Sequence, residues 1–303
     1  MRAYQSPSWI LVATTVASWW ASLSCESIAL AFCPPAHHYP SVYQRESRSK
    51  DQQSPETNMA DATIEDQEKS TSIKAVLFDI DGTLADSFRL AFDATNQVLQ
   101  NHQVDVVDEA GYHEGCRYTT PERLARHAGL MPGDDTFDSV GQQLGKEFDD
   151  LYIGLVSPET APFFPGILEL LHSVKSEIYL GCLTNAANEY AHAVLRAHAI
   201  HERFGSIRGA DTVPKAKPAP DGLWQVCKDL QLEASDCIYV GDSPGDAKAA
   251  MAAGMTFIGV SWGSFSKESL IEVTAEADSD RPRYICDTVD ELKKVLAKHA
   301  TIT

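Results

Sequence analysis

Positive charge is scarce in this chain. Lys and Arg together number 25 against 43 Asp and Glu, for a formal charge of −18. A nucleic-acid partner needs a cationic footprint, and none is present. Paired cysteines are missing too. The seven cysteines stand at positions 25, 33, 116, 182, 227, 237 and 286 with no CxxC among them, which speaks against a thiolate zinc site and a disulfide framework. Cys182, Cys237 and Cys286 fall inside strand-like runs and are expected as small buried hydrophobes. The apolar stretch Trp9–Leu23 is shorter than the ~20 residues of a membrane crossing. The rest of the chain carries neither such a span nor an internal repeat. What is there is a 44% hydrophobic composition over 303 residues, enough for one large domain or two modest ones.

The N-terminal seventy residues differ from the remainder. Arg2 in a short polar head, the apolar run and then Ala29-Leu30-Ala31 form the pattern of a signal peptide over 1–31. Phe32 follows the A-x-A site. From there to Lys50 the chain is rich in Ser, His and Pro, with Arg45, Arg48 and Lys50 against Glu46. This resembles the bipartite presequence of algae with secondary plastids, in which a transit peptide beginning with Phe follows the signal peptide. It implies a plastid address; secretion, or a cytoplasmic form starting at Met59, are the alternatives. The segment 32–71 is expected to be a transit-peptide-like stretch followed by a polar, disordered linker.

From Ile73 onward strand-like and helix-like patterns alternate. Strands are expected at Ile73–Asp79, Ile178–Thr184, Ser206–Ala210, Cys237–Asp242, Thr256–Val260 and Tyr284–Cys286, with helices such as Ala186–His198, Asp221–Leu230, Asp246–Ala253 and Val289–His299 between them. That alternation predicts an α/β fold with a doubly wound parallel sheet. Between Ser87 and about Phe164 only helical spacing occurs: Phe88, Phe92, Thr95 and Leu99, then Phe148, Leu151, Tyr152 and Leu155. An all-helical cap domain over 87–164 is therefore expected, inserted into a core made of 72–86 and 165–303. Its hinges would be Asp86–Ser87 and Phe164–Gly166.

Ligands of open α/β sheets sit beyond the carboxyl ends of the strands. The charged residues collect there. The first strand ends at Asp79 with Asp81 beyond it, the second at Thr184-Asn185, and the fourth at Asp242 with Asp246 one turn on. Lys215 and Lys217 lie in a loop stiffened by Pro214, Pro218 and Pro220. Unpaired carboxylates are costly to desolvate, and a hard divalent cation removes that cost. Mg²⁺ binds typically through one or two carboxylates plus substrate phosphate. Lys217 and Thr184 would then face the remaining phosphate oxygens. The constellation predicts phosphoryl transfer.

"DIDGTLADS", "LTNA", "KAKPAPD" and "GDSPGD" resemble, in order, the four signature motifs of the haloacid dehalogenase superfamily, and "FFPGILELL" resembles that family's return into the core. The resemblance implies a Rossmann-like core with a helical cap. It implies Asp79 as nucleophile forming an aspartyl-phosphate, Asp81 as general acid and then base, and a Mg²⁺ held by Asp79, the Asp81 carbonyl and Asp242. Thr184 and the Asn185 backbone would bind phosphoryl oxygens, and Lys217 would neutralise charge. Asp246 is either a ligand or an anchor orienting Asp242 and Lys217, with a helix N-cap role as the plainer alternative. Gly82 would permit the tight turn after the DxD.

Within that family the dehalogenases lack the second Asp, whereas Asp81 is present. Phosphonatases use a cap lysine, and the insertion here offers only Lys146. Transport ATPases carry Lys where Ile80 stands. Phosphatases and phosphomutases remain, together with a catalytically idle domain that binds a phosphometabolite. The stretch Gly115–Leu130 resembles the cap segment that overlies the active site in relatives of phosphoglycolate phosphatase and β-phosphoglucomutase. Arg117 or Arg123 would meet a second anionic group, and Tyr118 or Thr119 an uncharged tail. The favoured expectation is hydrolysis of a small phosphorylated metabolite, phosphoglycolate-like or a sugar phosphate, with no nucleic acid and no membrane engaged by the mature form.

Overall fold

In the computed structural model, residues 72–275 and 282–303 are described. The signal, transit and linker segments assigned to 1–71 lie outside them. Among the described residues no helix is long and apolar enough to cross a membrane.

The core is a six-stranded, all-parallel sheet of order β3-β2-β1-β4-β5-β6. The strands are β1 Ala75–Phe78, β2 Tyr179–Leu183, β3 Phe204–Arg208, β4 Cys237–Gly241, β5 Thr256–Val260 and β6 Arg283–Cys286. All four residues of β1 are fully buried, because helices cover both faces of the central strand. That is why its sequence is a continuous apolar run instead of an alternation. Helices α1 Phe88–Asn101, α2 Glu109–Gly115, α3 Thr120–His127 and α4 Phe137–Gly154 form the insertion after β1. The sheet then resumes through α5 Ile167–Ser173, α6 Asn188–Ala197, α7 Asp221–Leu230, α8 Pro244–Ala253, α9 Lys267–Ala275 and α10 Val289–Lys298.

The winding reverses around β1. The chain runs from β1 outward through β2 to β3, then returns to pair β4 with the other side of β1. This is the switch point at which such sheets open a crevice beyond their carboxyl ends. Asp79 follows β1 and Asp242 follows β4, so register alone brings them together: Phe78 pairs with Val240.

The two crossings between core and insertion run side by side. Asp86 N–H donates to Pro162 O at 2.8 Å, Phe164 N–H donates to Leu84 O at 3.0 Å, and Ala85 bridges Phe163 in antiparallel fashion. Ordered pairing thus begins before the expected hinge residues.

Three expectations shift locally. β3 lies two residues earlier than Ser206–Ala210, since its ladder with β2 starts at Phe204 through an irregularity at Leu180/Gly181 and Ala210–Thr212 turns away as a 3-10 helix. α8 starts at Pro244, with Ser243 as N-cap and Asp246 at the third position of a capping box. Asp246 is therefore not the N-cap. Leu155, placed in the cap's apolar stripe by its spacing, is the exposed C-cap residue of α4.

Candidate active site

Four strand-end elements supply the floor of a cavity of about 380 Å³. Asp79, Asp242, Asp246 and Lys217 are all buried. One oxygen from each aspartate lies within 4.8 Å of the others. Lys217 Nζ sits 3.0 Å from Asp79 Oδ1 and 2.6 Å from Asp246 Oδ1, and it also donates to Tyr239 OH at 3.1 Å. Burial alone would lower the ammonium's pKa, but Asp246 and Asp79 outweigh it, so the pKa is raised and the charge is kept. Lys217 holds its place through a neighbouring clamp. Asn185 Nδ2 donates to Lys217 O and Lys217 N–H donates to Asn185 Oδ1, both at 3.0 Å. The Asn185 side chain, assigned no such duty from sequence, ties the lysine loop to the end of β2.

The aspartates are not equivalent. Asp246 accepts from Lys217 and Tyr239 on Oδ1 and from the Ser243 N–H and hydroxyl on Oδ2. Four donors saturate it, so it anchors Lys217 rather than offering a free ligand atom. Asp79 Oδ1 accepts from Ile80 N–H at 2.8 Å and from Lys217, while Oδ2 has no donor among the described residues. Asp242 Oδ2 accepts from Ser264 N–H at 2.7 Å, and among the described residues its Oδ1 has only a 3.5 Å contact from Thr83. Burial, then the neighbouring carboxylates against the opposing pull of Lys217, raises the Asp79 pKa well above the usual carboxylate value. Burial, followed by Asp246, pushes Asp242 up to about 7. One lysine does not balance this much buried acid.

That excess, with open oxygens on Asp79 and Asp242, fits a hard dication such as Mg²⁺. The Asp81 carbonyl, which accepts no backbone hydrogen bond among the described residues, completes the expected donor set. Gly82 makes the approach possible. It has φ +78°, and a Cβ there would collide with the Asp242 carboxylate. From sequence Gly82 was read as a turn residue; it is also a spacer.

Asp81 points the other way. Its Oδ1 accepts from Ser87 Oγ at 2.5 Å, Tyr190 OH at 2.6 Å and Tyr152 OH at 3.2 Å, and its Oδ2 lies 3.4 Å from Thr184 Oγ1. Thr184 is also tied down, accepting from Ala186 N–H at 3.0 Å.

The insertion roofs the cavity, and here the sequence-based assignments divide. Tyr118 lines it. Arg117 does not: its side chain is exposed and bonded to the Glu114 carbonyl at 2.9 Å. One turn of α3 explains the difference, because Arg123 faces inward and Arg117 precedes the helix. Arg123 is 7% exposed, lies between the Tyr112 and Phe148 rings at 5.0 and 4.8 Å, and donates to Tyr112 OH at 2.9 Å. Among the described residues its Nε has no hydrogen-bond partner and its guanidinium forms no salt bridge. Thr119 does not line the cavity. Several contributors were missed from sequence: Ser87, Tyr112, Tyr152, Tyr190, and the Trp262–Phe265 loop after β5. Trp262 Nε1 donates to Thr83 O at 3.2 Å, which pins that loop to the DxD turn. The only prior signal was Trp and Phe at a strand end, where an open sheet presents its ligand.

A family model described as haloacid dehalogenase-like hydrolase matches residues 76–260. Among curated proteins, phosphoglycolate phosphatase of Rhodospirillum rubrum is 33% identical over 215 residues, covering 68% of this chain and 87% of that protein. Among solved structures, CbbY from Rhodobacter sphaeroides in complex with phosphate is 27% identical with a TM-score of 0.60, covering 73% of this chain and 96% of that one. A CbbY mutant from the same organism, in complex with xylulose-1,5-bisphosphate, is 28% identical with a TM-score of 0.61 over the same shares.

Proposed function

The chain belongs to the haloacid dehalogenase-like hydrolases and is a phosphoric monoester hydrolase; from that premise we propose that it is a Mg²⁺-dependent phosphatase of a small, phosphoglycolate-like or sugar phosphomonoester. The observation that carries this reading is the convergence of Asp79, Lys217 and Asp242 at the switch point, beneath a cavity of about 380 Å³ lined from above by the helical insertion.

Bound at Asp79, the Asp81 carbonyl and Asp242, Mg²⁺ would neutralise phosphoryl charge. The Asp79 carboxylate then attacks phosphorus and forms an aspartyl-phosphate as the ester P–O bond breaks. Lys217 and the Thr184 hydroxyl stabilise the charge on the phosphoryl oxygens. Asp81 gives its proton to the departing oxygen, then takes one from the water that hydrolyses the aspartyl-phosphate. Phosphate leaves and Asp79 is regenerated. The cap excludes bulk water while this happens.

Arg123 supports a substrate with a second anionic group. A buried guanidinium with an unpartnered Nε faces the same cavity as the phosphate site. A carboxylate such as that of 2-phosphoglycolate fits this need, and so does the second phosphate of a sugar bisphosphate. The relatives named phosphoglycolate phosphatase support the first.

The test is phosphate release from a panel of 2-phosphoglycolate, pentose and hexose phosphates, pyridoxal phosphate and nucleotides. Release should need Mg²⁺, stop in excess chelator and vanish in Asp79→Asn. Turnover that survives the chelator or the substitution overturns the reading. Interconversion of a sugar phosphate without phosphate release replaces hydrolysis by a phosphomutase. The plastid address is part of the proposal, and a fluorescent fusion of residues 1–70, with and without a Phe32 substitution, tests it.

A further inference from the structure

Three hydroxyls converge on one oxygen of Asp81. Ser87 Oγ, Tyr190 OH and Tyr152 OH all reach Oδ1, whereas among the described residues Oδ2 has only the 3.4 Å contact with Thr184. The donors come from three different places: Ser87 from the linker into the cap, Tyr152 from cap helix α4, and Tyr190 from core helix α6.

Each group departs from its plainer role to be there. Ser87 occupies the N-cap position of α1, where a serine normally accepts from the helix's own N–H groups, yet its side chain makes no capping bond. Its hydroxyl goes to Asp81 instead. Tyr190 and Tyr152 are buried core residues, stacked at 4.1 Å. Tyr152 also lies 2.9 Å from Tyr190 OH, so its single proton is shared between that oxygen and Asp81, while Tyr190 donates onward to Asp81 at 2.6 Å. Hydroxyls chained in this way polarise one another and tighten the last bond.

A carboxylate oxygen accepting three hydroxyls has its lone pairs engaged and its torsions fixed. The other oxygen is left facing Thr184 and the cavity. We infer that Ser87, Tyr190 and Tyr152 are positioning residues that immobilise Asp81 through Oδ1 and thereby assign Oδ2 as the oxygen that exchanges the proton with the leaving group. This rests on the phosphatase reading. As the ester P–O bond breaks, its electron pair stays on the leaving oxygen, and the proton on Oδ2 moves to that oxygen.

Such an arrangement matters in proportion to how badly the leaving group needs a proton. The experiment measures kcat/KM for Tyr190→Phe, Tyr152→Phe and Ser87→Ala on p-nitrophenyl phosphate, phenyl phosphate and 2-hydroxyethyl phosphate, with Asp81→Asn as reference. On the alkyl ester the tyrosine variants should lose roughly 30- to 100-fold, against about twofold or threefold on p-nitrophenyl phosphate, whose phenolate leaves unaided. Competitive inhibition by inorganic phosphate should not change. In an Asp81→Asn background the same substitutions should cost no more than about twofold, because the group they position has lost its function. Equal losses on all three esters, or full losses persisting in the Asp81→Asn background, mean a packing role and overturn the inference. So does the absence of any loss. Phe removes a single oxygen, and Ser87→Ala tests the same idea from the linker, so a folding defect in one variant leaves the others decisive. If the wild-type protein hydrolyses none of the esters, the phosphatase reading fails; if it hydrolyses them and the leaving-group dependence stays flat, only this inference does.

Discussion

On the floor of the cleft Lys217 touches Asp79 and Asp246, Asp246 has four donors, and the Asn185 amide clamps the lysine loop. On its roof Arg123 is just as buried, yet among the described residues its Nε has no hydrogen-bond partner and it forms no salt bridge. The floor is tied together from within: Lys217 answers part of its buried acid, and the proposed dication would answer the rest. The roof leaves Arg123 Nε open, where the proposed second anionic group of the substrate would bind. On the proposed reading, chemistry and selection are thus held by different parts of the chain, joined through Asp81, where cap and core hydroxyls meet.

Breaking the floor should have the largest effect. Lys217→Met strands Asp79 and Asp246 without a counter-charge. Removing one member of a buried pair costs about 3–5 kcal/mol. The loss of its charge stabilisation lowers kcat by roughly 10²–10³. Thermal denaturation and phosphate release read the two separately, and a variant with full stability and activity would deny the floor its tie through Lys217.

The roof is broken by Arg123→Met. An ionic hydrogen bond is worth about 2 kcal/mol, so hydrolysis of an ester bearing a second anion should fall roughly thirtyfold in kcat/KM. p-Nitrophenyl phosphate should be spared. Equal losses on both would make Arg123 a packing residue.

The dication sharpens the comparison. Asp242, at about 7, and Asp79 carry raised pKa values chiefly through burial. A carboxyl raised in the folded state binds its proton more tightly there, so its contribution to stability is full below the unfolded value of about 4 and is lost as pH rises through the folded one. Without metal, Tm should therefore decline between about pH 5 and about pH 8, and Mg²⁺ should raise it more at the upper value. An equal Mg²⁺ increment at both would place the dication elsewhere. The smallest effect belongs to Arg117→Ala: with its side chain in solvent, stability should change by about 0.5 kcal/mol or less, and kcat/KM should hold on every ester.

How legible these regions were follows the same division. Asp79 and Asp242 could be read because a parallel sheet confines its ligands to strand ends, and a strand end is marked by a greasy run stopping at a polar residue; Lys217, in a loop well past β3, was legible only through the resemblance of "KAKPAPD" to a family motif. Thr256–Val260 and Asp221–Leu230 were placed to the residue for the same reason: pattern and boundary coincide. On the roof no such address exists. Arg117 and Arg123 are both arginines in one short stretch, and only the start of α3 at Thr120 decides which turns inward. Tyr152 and Tyr190 read as core aromatics, and they are; their hydroxyl bonds follow from how α4 docks on α6, which spacing along the chain does not encode. Ser87 was seen as a hinge because sequence does not reveal where a hydroxyl sends its proton.

The paired crossings at Leu84–Asp86 and Pro162–Phe164 have a broader consequence. A long excursion normally burdens a sheet with the entropy of bringing two distant chain ends together. Here the departing and returning peptides are hydrogen-bonded neighbours, so to the strands the whole excursion resembles a short turn. Helices beyond that junction can be lengthened, exchanged or redecorated without retuning strand order, which makes substrate range a trait open to modular change on an unaltered reaction centre.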